Sequence, residues 1–349
     1  MIVCHIESGL GNQMLSYCEL LALKKENPGQ DFYIETIIYE IEECNGVICQ
    51  WNGYELERIF NIREKNIKSL FSEKEWNEII NEVKQTEFWK HNWNYPVYIT
   101  RVLANHGLVL ENMRGDFEGE GALLVTEEST SLKTKLRKTR IGYHLKKFET
   151  KIRAKNVILT HAERDRVFFK TTGNIFTGQR LCLKCVASGM ELIDEQVKRS
   201  FSFPPLLDKH NIEFANYLKN NNAIAIHARR GDMLGYNEVY YKYGYFKKCV
   251  KYLKKKVVSP VFVFFCDPGS ISWCRENENV FGLNMQKDKV LFVDWNKEDE
   301  SYRDIQLMAL CKHAIITNSS FGWWGAYFIE NTDKITCSPE LWIETTKHF

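Results

Sequence analysis

The feature that most constrains the fold is a regular alternation of apolar strands and helices in the second half of the sequence. The apolar runs are short and rich in β-branched and aromatic residues, which is typical of buried strands. Strands that alternate with helices predict βαβ units and a parallel sheet. The strands are predicted at 223–228, 261–266, 290–293 and 314–317, and the helices at 208–218, 240–255, 303–311 and 323–329.

The length of 349 residues favours two domains rather than one. The two prolines of Ser202-Phe203-Pro204-Pro205 would end any preceding helix, so we place the boundary there and predict domains at 1–203 and 204–349. The first domain opens with a predicted strand at 2–6, a glycine turn and a helix, and a further strand is predicted at 31–41. Both domains are therefore expected to be α/β.

Charge and targeting signals exclude several classes of protein. The formal net charge is only +2, so the chain as a whole is not expected to attract nucleic acid or a membrane electrostatically. The chain has no signal-peptide pattern and no apolar run of the length that spans a bilayer, which predicts a cytoplasmic protein. Most of the 11 cysteines lie in apolar runs, as expected of reduced thiols. Cys182 and Cys185 have the spacing of zinc ligands, but no second pair completes such a site, so no metal is predicted.

A basic segment at 133–155 holds ten lysines or arginines against one acid, Glu149. One interpretation is a contact with a phosphorylated lipid or an anionic membrane surface. The other, which we favour from the sequence, is a solvated helical face whose apolar residues form a buried stripe. That stripe would consist of Leu132, Leu136, Ile141, Leu145 and Phe148.

The charged turn after the first strand of the second domain is the strongest chemical signal. Arg229 and Arg230 follow the apolar run 223–228 directly. Two arginines at the end of a core strand are costly unless an anion meets them, and the guanidinium fork suits phosphate oxygens. Asp232 is either a substrate contact or an internal partner of one arginine. Asp267, which follows the next strand, is either part of the same site or a cap for its own turn.

A serine turn follows a later strand at the same predicted edge of the sheet. Asn318, Ser319 and Ser320 precede a helix, and the amides at a helix N-terminus bind phosphate readily. The alternative is a simple N-cap. Gly9 and Gly11 permit close approach of the backbone to a ligand, although the chain contains neither GxGxxG nor GxxxxGK[ST]. Together, an arginine pair and a serine turn at one sheet edge predict a pyrophosphate pocket.

These residues resemble the α-1,2-fucosyltransferases of glycosyltransferase family 11. The turn Ser8-Gly9-Leu10-Gly11-Asn12-Gln13-Met14 is similar to the amino-terminal GGLGNQM signature, and His227 to Asp232 fits the HxRRxD motif of the donor site. Residues 304–324 resemble the long third motif of the family. Residues 53–60 and 201–205 resemble its weaker landmarks.

The resemblance implies a GT-B architecture, with two Rossmann-like domains facing across a cleft. Residues 1–203 would be the acceptor-side domain and 204–349 the GDP-sugar-binding domain. Fucose would pass with inversion from GDP-β-L-fucose to the 2-hydroxyl of a terminal galactose, without a metal or a cofactor. The partners implied are GDP-fucose and a galactose-terminated oligosaccharide or glycolipid, with peripheral contact to the inner membrane face as an open alternative.

The resemblance also assigns roles to single residues. Arg229 or Arg230 would bind the β-phosphate with help from Ser320, Asp304 and His227 would meet the guanine, and Asn12 would reach the pyrophosphate and sugar from the first domain. The remaining donor-site residues carried over are Gly9, Gly11, Asn318 and Ser319, and the catalytic group is Arg229, Arg230, Asn12 and Asp232.

Some features remain open at this point. The catalytic base is one of Glu7, Asp232 and Glu238, since each can accept a proton. The middle of the chain departs from the family pattern where acceptor contacts are expected, as at 177–182, and Cys266-Asp267-Pro268 replaces the usual SDD. The acceptor is therefore not predicted beyond its terminal galactose. The alternatives are another donor or linkage on the same fold, or a protein that binds a sugar nucleotide or glycan without catalysis.

Overall fold

The computed structural model describes residues 1–45, 52–90, 95–112, 139–142, 144–145, 148, 173–178, 190–231 and 234–339. These residues form two compact units. The first contains the described residues of Met1–Glu128 and Asn156–Phe203, and the second contains those of Ser129–Lys155 and Pro204–Phe349.

The first unit contains a parallel sheet of four strands in the order β2-β1-β4-β3. The strands are β1 Ile2–His5, β2 Phe32–Glu35, β3 Glu111–Asn112 and β4 Ile175–Thr177. The helices are α1 Leu10–Glu26, α2 Leu56–Phe60, α3 Glu73–Gln85, α4 Tyr95–Asn105 and α5 Met190–Ser200. Short 3-10 helices cover Ile37–Glu40, Glu42–Cys44, Ile67–Leu70 and Phe88–Lys90.

Local sequence explains how the elements of the first unit begin and end. Helix α3 starts after Ser72, whose hydroxyl accepts from the amide of Glu75 while the Glu75 carboxylate accepts from the amide of Ser72, a capping box. It buries Trp76 and Val83 in the core of the unit. Strand β2 ends earlier than predicted, at Glu35, because the Glu35 carboxylate accepts from the amide of Ile37 and bends the chain into a 3-10 turn.

The second unit contains a parallel sheet of five strands in the order β7-β6-β5-β8-β9. The strands are β5 Ala223–Ala228, β6 Val261–Cys266, β7 Lys289–Val293, β8 His313–Ile315 and β9 Thr336–Cys337. The helices are α6 Lys209–Lys219, α7 Leu234–Lys242, α8 Tyr245–Lys256, α9 Ser270–Glu276, α10 Glu278–Phe281, α11 Arg303–Ala309 and α12 Ser320–Tyr327, and a 3-10 turn covers Glu298–Glu300.

The α/β prediction is confirmed, since each unit has a parallel sheet with helices between its strands. Strands β5 and β6 occupy the predicted ranges because their residues are buried and apolar along almost the whole run. The single helix predicted at 240–255 is wrong. The chain forms α7 and α8 instead, because Gly244 adopts a left-handed conformation with φ of +74° between them.

The buried apolar stripe predicted in the basic segment is also wrong for the residues that can be placed. Ile141, Leu145 and Phe148 are 75%, 64% and 65% exposed. Leu132 and Leu136 lie outside the described residues, as do Cys182 and Cys185. The described part of this segment therefore presents its large apolar side chains to solvent rather than to a core.

Candidate functional site

The loops after β5 and β8 meet at a topological switch point of the second unit. Strand β5 pairs with β6, the next strand along the chain, on one side and with β8 on the other. The hydroxyl of Thr317, after β8, donates to the carbonyl of His227 over 3.3 Å and accepts from the amide of Arg229 over 3.4 Å. In open parallel sheets, ligands bind beyond the strand ends at such a point. The predicted arginine turn and serine turn are therefore neighbours.

The Arg230 side chain is held by aromatic rings. Its guanidinium carbon lies 3.3 Å from the centroid of the Trp273 ring and 5.1 Å from that of Tyr241. Such stacking is favourable and leaves the edge of the guanidinium, with its N–H donors, available to an anion. Among the described residues, no carboxylate lies within ion-pair distance of this guanidinium. Arg230 is thus a positioned, half-buried cation.

Asp267 holds the backbone of the arginine turn. Its two carboxylate oxygens accept from the amides of Arg230 and Gly231 over 2.7 and 2.9 Å, and one of them also accepts from the Ser270 hydroxyl at the start of α9. The sequence left open whether Asp267 caps its own turn or belongs to the site. It does both, because its carboxylate joins the turn after β6 to the loop after β5.

The imidazole of His227 is buried at the end of β5, with 3% of the residue exposed. Burial and the nearby Arg229 cation lower the pKa of His227 to about 3, so the ring is neutral at physiological pH. The ring stacks on Phe321 of α12 at 5.8 Å. Within the described part of the chain, Nδ1 has no hydrogen-bond partner. The predicted contact of His227 with the guanine stays a prediction.

The serine turn begins α12 without a side-chain cap. Ser319 is the N-cap residue, yet its hydroxyl makes no capping hydrogen bond. Ser320 is the first helical residue, and both serines are half-buried. The interpretation of Ser319 as a simple N-cap is therefore not supported, and the turn keeps the polar character that a phosphate site requires.

Asn237 of α7, which the sequence did not single out, links the two loops. Its side-chain amide donates to the carbonyl of Arg229 over 2.9 Å, and its carbonyl oxygen accepts from the amide of Asn318 over 3.3 Å. The Asn318 side chain donates to the hydroxyl of Tyr240 over 2.8 Å. Asn318 is thus buried and supports the turn from behind. No sequence signal separates Asn237 from other helical asparagines.

Asp304 lies at the start of α11, and its carboxyl has a raised pKa. Burial raises the pKa of this carboxyl to about 7, and the hydrogen bond from the Asn296 amide offsets only part of that effect. The Asn296 amide is oriented in turn by Asn211, which also accepts from the indole N–H of Trp295. A carboxyl held in this way changes its charge near neutral pH.

In the first unit, the glycine turn after β1 is organised by Gln13. The Gln13 amide donates to the carbonyls of Ser8 and Gly53 over 2.9 and 2.8 Å, and its oxygen accepts from the amide of Glu55 over 2.8 Å. Gln13 therefore joins the N-terminal signature to the landmark at 53–60. Ser8 has a positive φ of 61°, which a glycine would adopt with less strain.

Helix α1 begins directly after this turn. Gly9 is its N-cap, and the amide of Asn12 donates back to the Gly9 carbonyl over 2.9 Å. Gly11 is buried and Asn12 is half-buried. These three predicted residues thus share one helix N-terminus in the first unit, and their role in binding the donor stays a prediction.

The candidate bases have different surroundings. Glu7 is 2% exposed, and its carboxylate lies 3.3 Å from His5 Nε2, while His5 Nδ1 pairs with Glu35. Burial alone would lower the pKa of His5, but the two carboxylates outweigh it and raise that pKa to about 9. Glu238 pairs with Lys242 on the surface of α7. Asp232 lies outside the described residues, so the choice of base stays open.

In the described ranges, no group of three or more His, Cys, Asp or Glu side chains is placed to hold a metal ion. No helix among the described residues has the length and apolar character needed to cross a bilayer.

Comparison with known proteins gives matches that cover the second unit. Residues 206–347 match the model of glycosyl transferase family 11. The chain is 33% identical over 137 residues to an alpha-1,2-colitosyltransferase of Escherichia coli, covering 38% of this chain and 45% of that protein. It is 30% identical over 109 residues to galactoside alpha-(1,2)-fucosyltransferase 1 of Saimiri sciureus, covering 30% of this chain and 28% of that protein. The match thus spans less than half the length of either relative.

One solved structure aligns with a larger share of the chain than these relatives do, but at lower sequence identity. Fucosyltransferase NodZ from Bradyrhizobium superposes with a TM-score of 0.43 and 11% sequence identity, covering 93% of this chain and 91% of that chain.

Proposed function

We propose, from the match of residues 206–347 to the model of glycosyl transferase family 11, that this protein transfers L-fucose from GDP-β-L-fucose to the 2-hydroxyl of a terminal galactose, with inversion. The observation that carries the proposal is the meeting of two loops at one sheet edge. One loop presents the stacked guanidinium of Arg230, and the other begins α12 at Ser319 and Ser320.

These two loops suit the leaving group of the reaction. As the bond between fucose and phosphate breaks, negative charge grows on the β-phosphate oxygens. Arg229 and Arg230 supply cations, and Ser320 supplies a hydroxyl and a helix-terminal amide. Donors that are already in position stabilise such charge, and each is worth about 2.7–4 kcal/mol. On this proposal the reaction needs neither a metal ion nor a cofactor.

Asp304 fits the guanine end of the donor. The Watson–Crick edge of guanine presents an N1–H and an N2–H donor side by side, and an ionised carboxylate accepts both. The pKa of about 7 means that Asp304 can ionise readily when the base arrives. His227 would support the same end of the nucleotide. Its neutral ring avoids adding positive charge beside the arginine pair.

The acceptor half of the proposal rests on the name of a relative. The name of the relative from Saimiri sciureus identifies a galactoside as its acceptor, and the glycan that carries the galactose here remains open between a lipid-linked repeat and a free oligosaccharide. Glu7, whose carboxylate lies 3.3 Å from His5 Nε2, remains one of the candidate bases.

A second donor has a specific observation in its favour. The relative from Escherichia coli is named for colitose rather than fucose. Transfer of either sugar would form an α-1,2 linkage. A non-catalytic sugar-nucleotide-binding protein is the remaining alternative. The first test is thermal protection: a nucleotide at about 100 times its Kd stabilises a protein by about 2.7 kcal/mol, so GDP should raise Tm where UDP and ADP do not. Equal effects of the three nucleotides would contradict a guanine site.

We further propose that the protein works in the cytoplasm and contacts the inner membrane face through its basic segment. The cysteines in the described part of the chain are all free thiols, as expected in a reducing compartment. The described residues at 140–142, 144–145 and 148 are helical, and the spacing of Ile141, Leu145 and Phe148 places them on one helical face. An exposed apolar face within a strongly basic segment is typical of helices that lie on anionic membranes.

A further inference from the structure

Two thiols lie close together behind the arginine turn. Cys266 is the last residue of β6, Cys274 is in α9, and their sulfur atoms are 3.7 Å apart. A disulfide has an S–S distance of about 2.05 Å, so the sulfurs would need to approach by less than 2 Å. Rotation of two cysteine side chains with a small shift of α9 can supply that movement. Cys266 is partly exposed, whereas Cys274 is buried.

Each thiol is adjacent in sequence to a residue that holds Arg230. Cys266 precedes Asp267, whose carboxylate accepts from the amide of Arg230 over 2.7 Å. Cys274 follows Trp273, whose ring centroid lies 3.3 Å from the Arg230 guanidinium carbon. A bond between the sulfurs would shift one of these supports relative to the other. Because the guanidinium stacks on the Trp273 ring at 3.3 Å, a shift of that ring is expected to displace the guanidinium as well.

We propose that Cys266 and Cys274 are a modification site, a reversible disulfide that weakens binding of the nucleotide diphosphate by displacing Arg230. The effect on binding rests on the proposed donor site, whereas formation of the disulfide does not.

The chemistry balances with a low-molecular-weight disulfide such as oxidised glutathione as the oxidant. The Cys266 thiolate attacks one sulfur of the oxidant and forms a mixed disulfide, which releases one glutathione thiol. The Cys274 sulfur then displaces the second glutathione and closes the protein disulfide. Two protein thiols are oxidised, one glutathione disulfide is reduced, and the two protein protons end on the two glutathione thiols.

Solvent access determines which of the two thiols reacts first, and the pKa of that thiol determines how fast the disulfide forms. The partly exposed Cys266 is the sulfur that a solute can reach first. The hydrogen bond with Cys274 and partial burial raise the pKa of the Cys266 thiol well above the usual value, so the reaction is slow near neutral pH and faster in alkaline buffer.

The chain contains a matched control pair. Cys249 in α8 hydrogen-bonds to Cys337 in β9. These thiols belong to the same unit, but neither is adjacent in sequence to Asp267 or Trp273. Oxidation at this second pair should therefore leave Arg230 in place.

The test uses the whole protein treated with oxidised glutathione and then returned to a thiol reductant. Trypsin releases residues 257–275 as one peptide that carries both Cys266 and Cys274, and its mass should fall by two hydrogen atoms on oxidation. GDP affinity, measured by calorimetry, should fall by about tenfold or more if the displaced guanidinium loses one charge-assisted hydrogen bond. The reductant should restore it. Cys266→Ser and Cys274→Ser should keep full affinity under oxidant, whereas Cys249→Ser should remain as sensitive as wild type.

The outcomes separate the two claims. If the reduced wild type fails to bind GDP, the proposed donor site is wrong. If the peptide keeps both thiols in oxidant, or if the disulfide forms and GDP affinity stays unchanged, the inference drawn from the thiol pair is wrong. Loss of affinity that persists in Cys266→Ser would also overturn it.

Discussion

Gly322 of α12 lies directly against the imidazole of His227. A Cβ atom built on Gly322 would be 2.5 Å from Nδ1 and 2.7 Å from Cγ of the ring, distances that real Cβ atoms do not adopt. The absence of a side chain at Gly322 thus lets the start of α12 reach the end of β5. A side chain at Gly322 would therefore separate the serine turn from the arginine turn.

Gly322→Ala should therefore weaken GDP binding. The new methyl group would push α12 away from the buried ring of His227, and overpacking of this kind costs typically about 1–3 kcal/mol. Because Ser319 and Ser320 begin the same helix, the displacement moves the proposed phosphate site. We expect GDP affinity, measured by calorimetry, to fall by about tenfold or more.

Gly325→Ala is the matched control for that variant. Gly325 is on the same helix and is also buried, but a Cβ there would meet mainly the flexible end of the Met308 side chain, which can repack without displacing α12, rather than the ring of His227. We expect Gly325→Ala to lower Tm while GDP affinity stays near that of wild type. If Gly322→Ala bound GDP normally, the link between this contact and the donor site would be refuted.

The serine turn can be tested directly. Ser320→Ala removes a hydroxyl that we assign to the β-phosphate, and a hydrogen bond to a charged group is worth about 1.5–3 kcal/mol. GDP affinity should fall by about tenfold or more, with less effect on GMP, which lacks the β-phosphate. Ser272→Ala, in α9 of the same unit, serves as a control. An unchanged affinity for GDP in Ser320→Ala would count against the phosphate site.

The pKa of Asp304 predicts how GDP binding depends on pH. The carboxyl titrates at about 7 in the free protein, and guanine requires its ionised form, so protonation competes with binding below that pH. GDP affinity should weaken by about tenfold between pH 8 and pH 6. The terminal phosphate of GDP also titrates in this range, so the informative quantity is the difference between wild type and Asp304→Asn.

Asp304→Asn keeps the shape of the side chain and removes its titration. The variant should bind GDP more weakly at pH 8 and should lose most of the dependence on pH. Identical pH profiles for the two proteins, each followed by calorimetry, would show that Asp304 does not bind guanine in its ionised form.

If the basic segment contacts the membrane, binding to lipid vesicles should depend on the exposed apolar side chains of the segment and on the charge of the lipid. The combined substitution of Ile141, Leu145 and Phe148 by Ser should reduce cosedimentation with vesicles that contain anionic phosphatidylglycerol by about tenfold or more, because burial of each such side chain is worth about 1.5–3 kcal/mol. Wild-type binding should fall in high salt. Val258→Ser is the control, since Val258 is 79% exposed outside the basic segment. Equal binding to neutral and anionic vesicles would exclude the proposed electrostatic contact.

The sequence was sufficient to predict four of the five strands in the sheet of the second unit and the loops that meet at its edge, but strand β9 at Thr336–Cys337 was not predicted. Strands β5 and β6 are continuous apolar runs, and a parallel sheet brings their carboxyl ends to one edge. Since β8 is predicted in the same parallel sheet, the loop that carries Arg229 after β5 and the loop that carries Ser319 after β8 are predicted at one edge. The two helices around Gly244 could not be separated, because a single glycine within a helical pattern is often tolerated.

The supports of the site could not be predicted, because they are long-range pairs. The Trp273 ring reaches Arg230 from 43 residues away, and Asn237 joins two loops through its side chain. No periodicity records such contacts. The exposed face at Ile141 was also missed, since an apolar stripe has the same spacing whether it packs on a core or lies open to solvent.

The central claim is tested most directly by the release of GDP from GDP-fucose in the presence of galactose-terminated acceptors, including lactose, with wild type and Arg230→Ala side by side. We expect turnover by wild type that EDTA leaves unchanged, and a loss of about 10²–10³ in kcat for the variant, whose fold remains intact. Near-normal turnover by Arg230→Ala would contradict the role of this arginine. Failure of the wild type to bind GDP-fucose would contradict the proposed function itself.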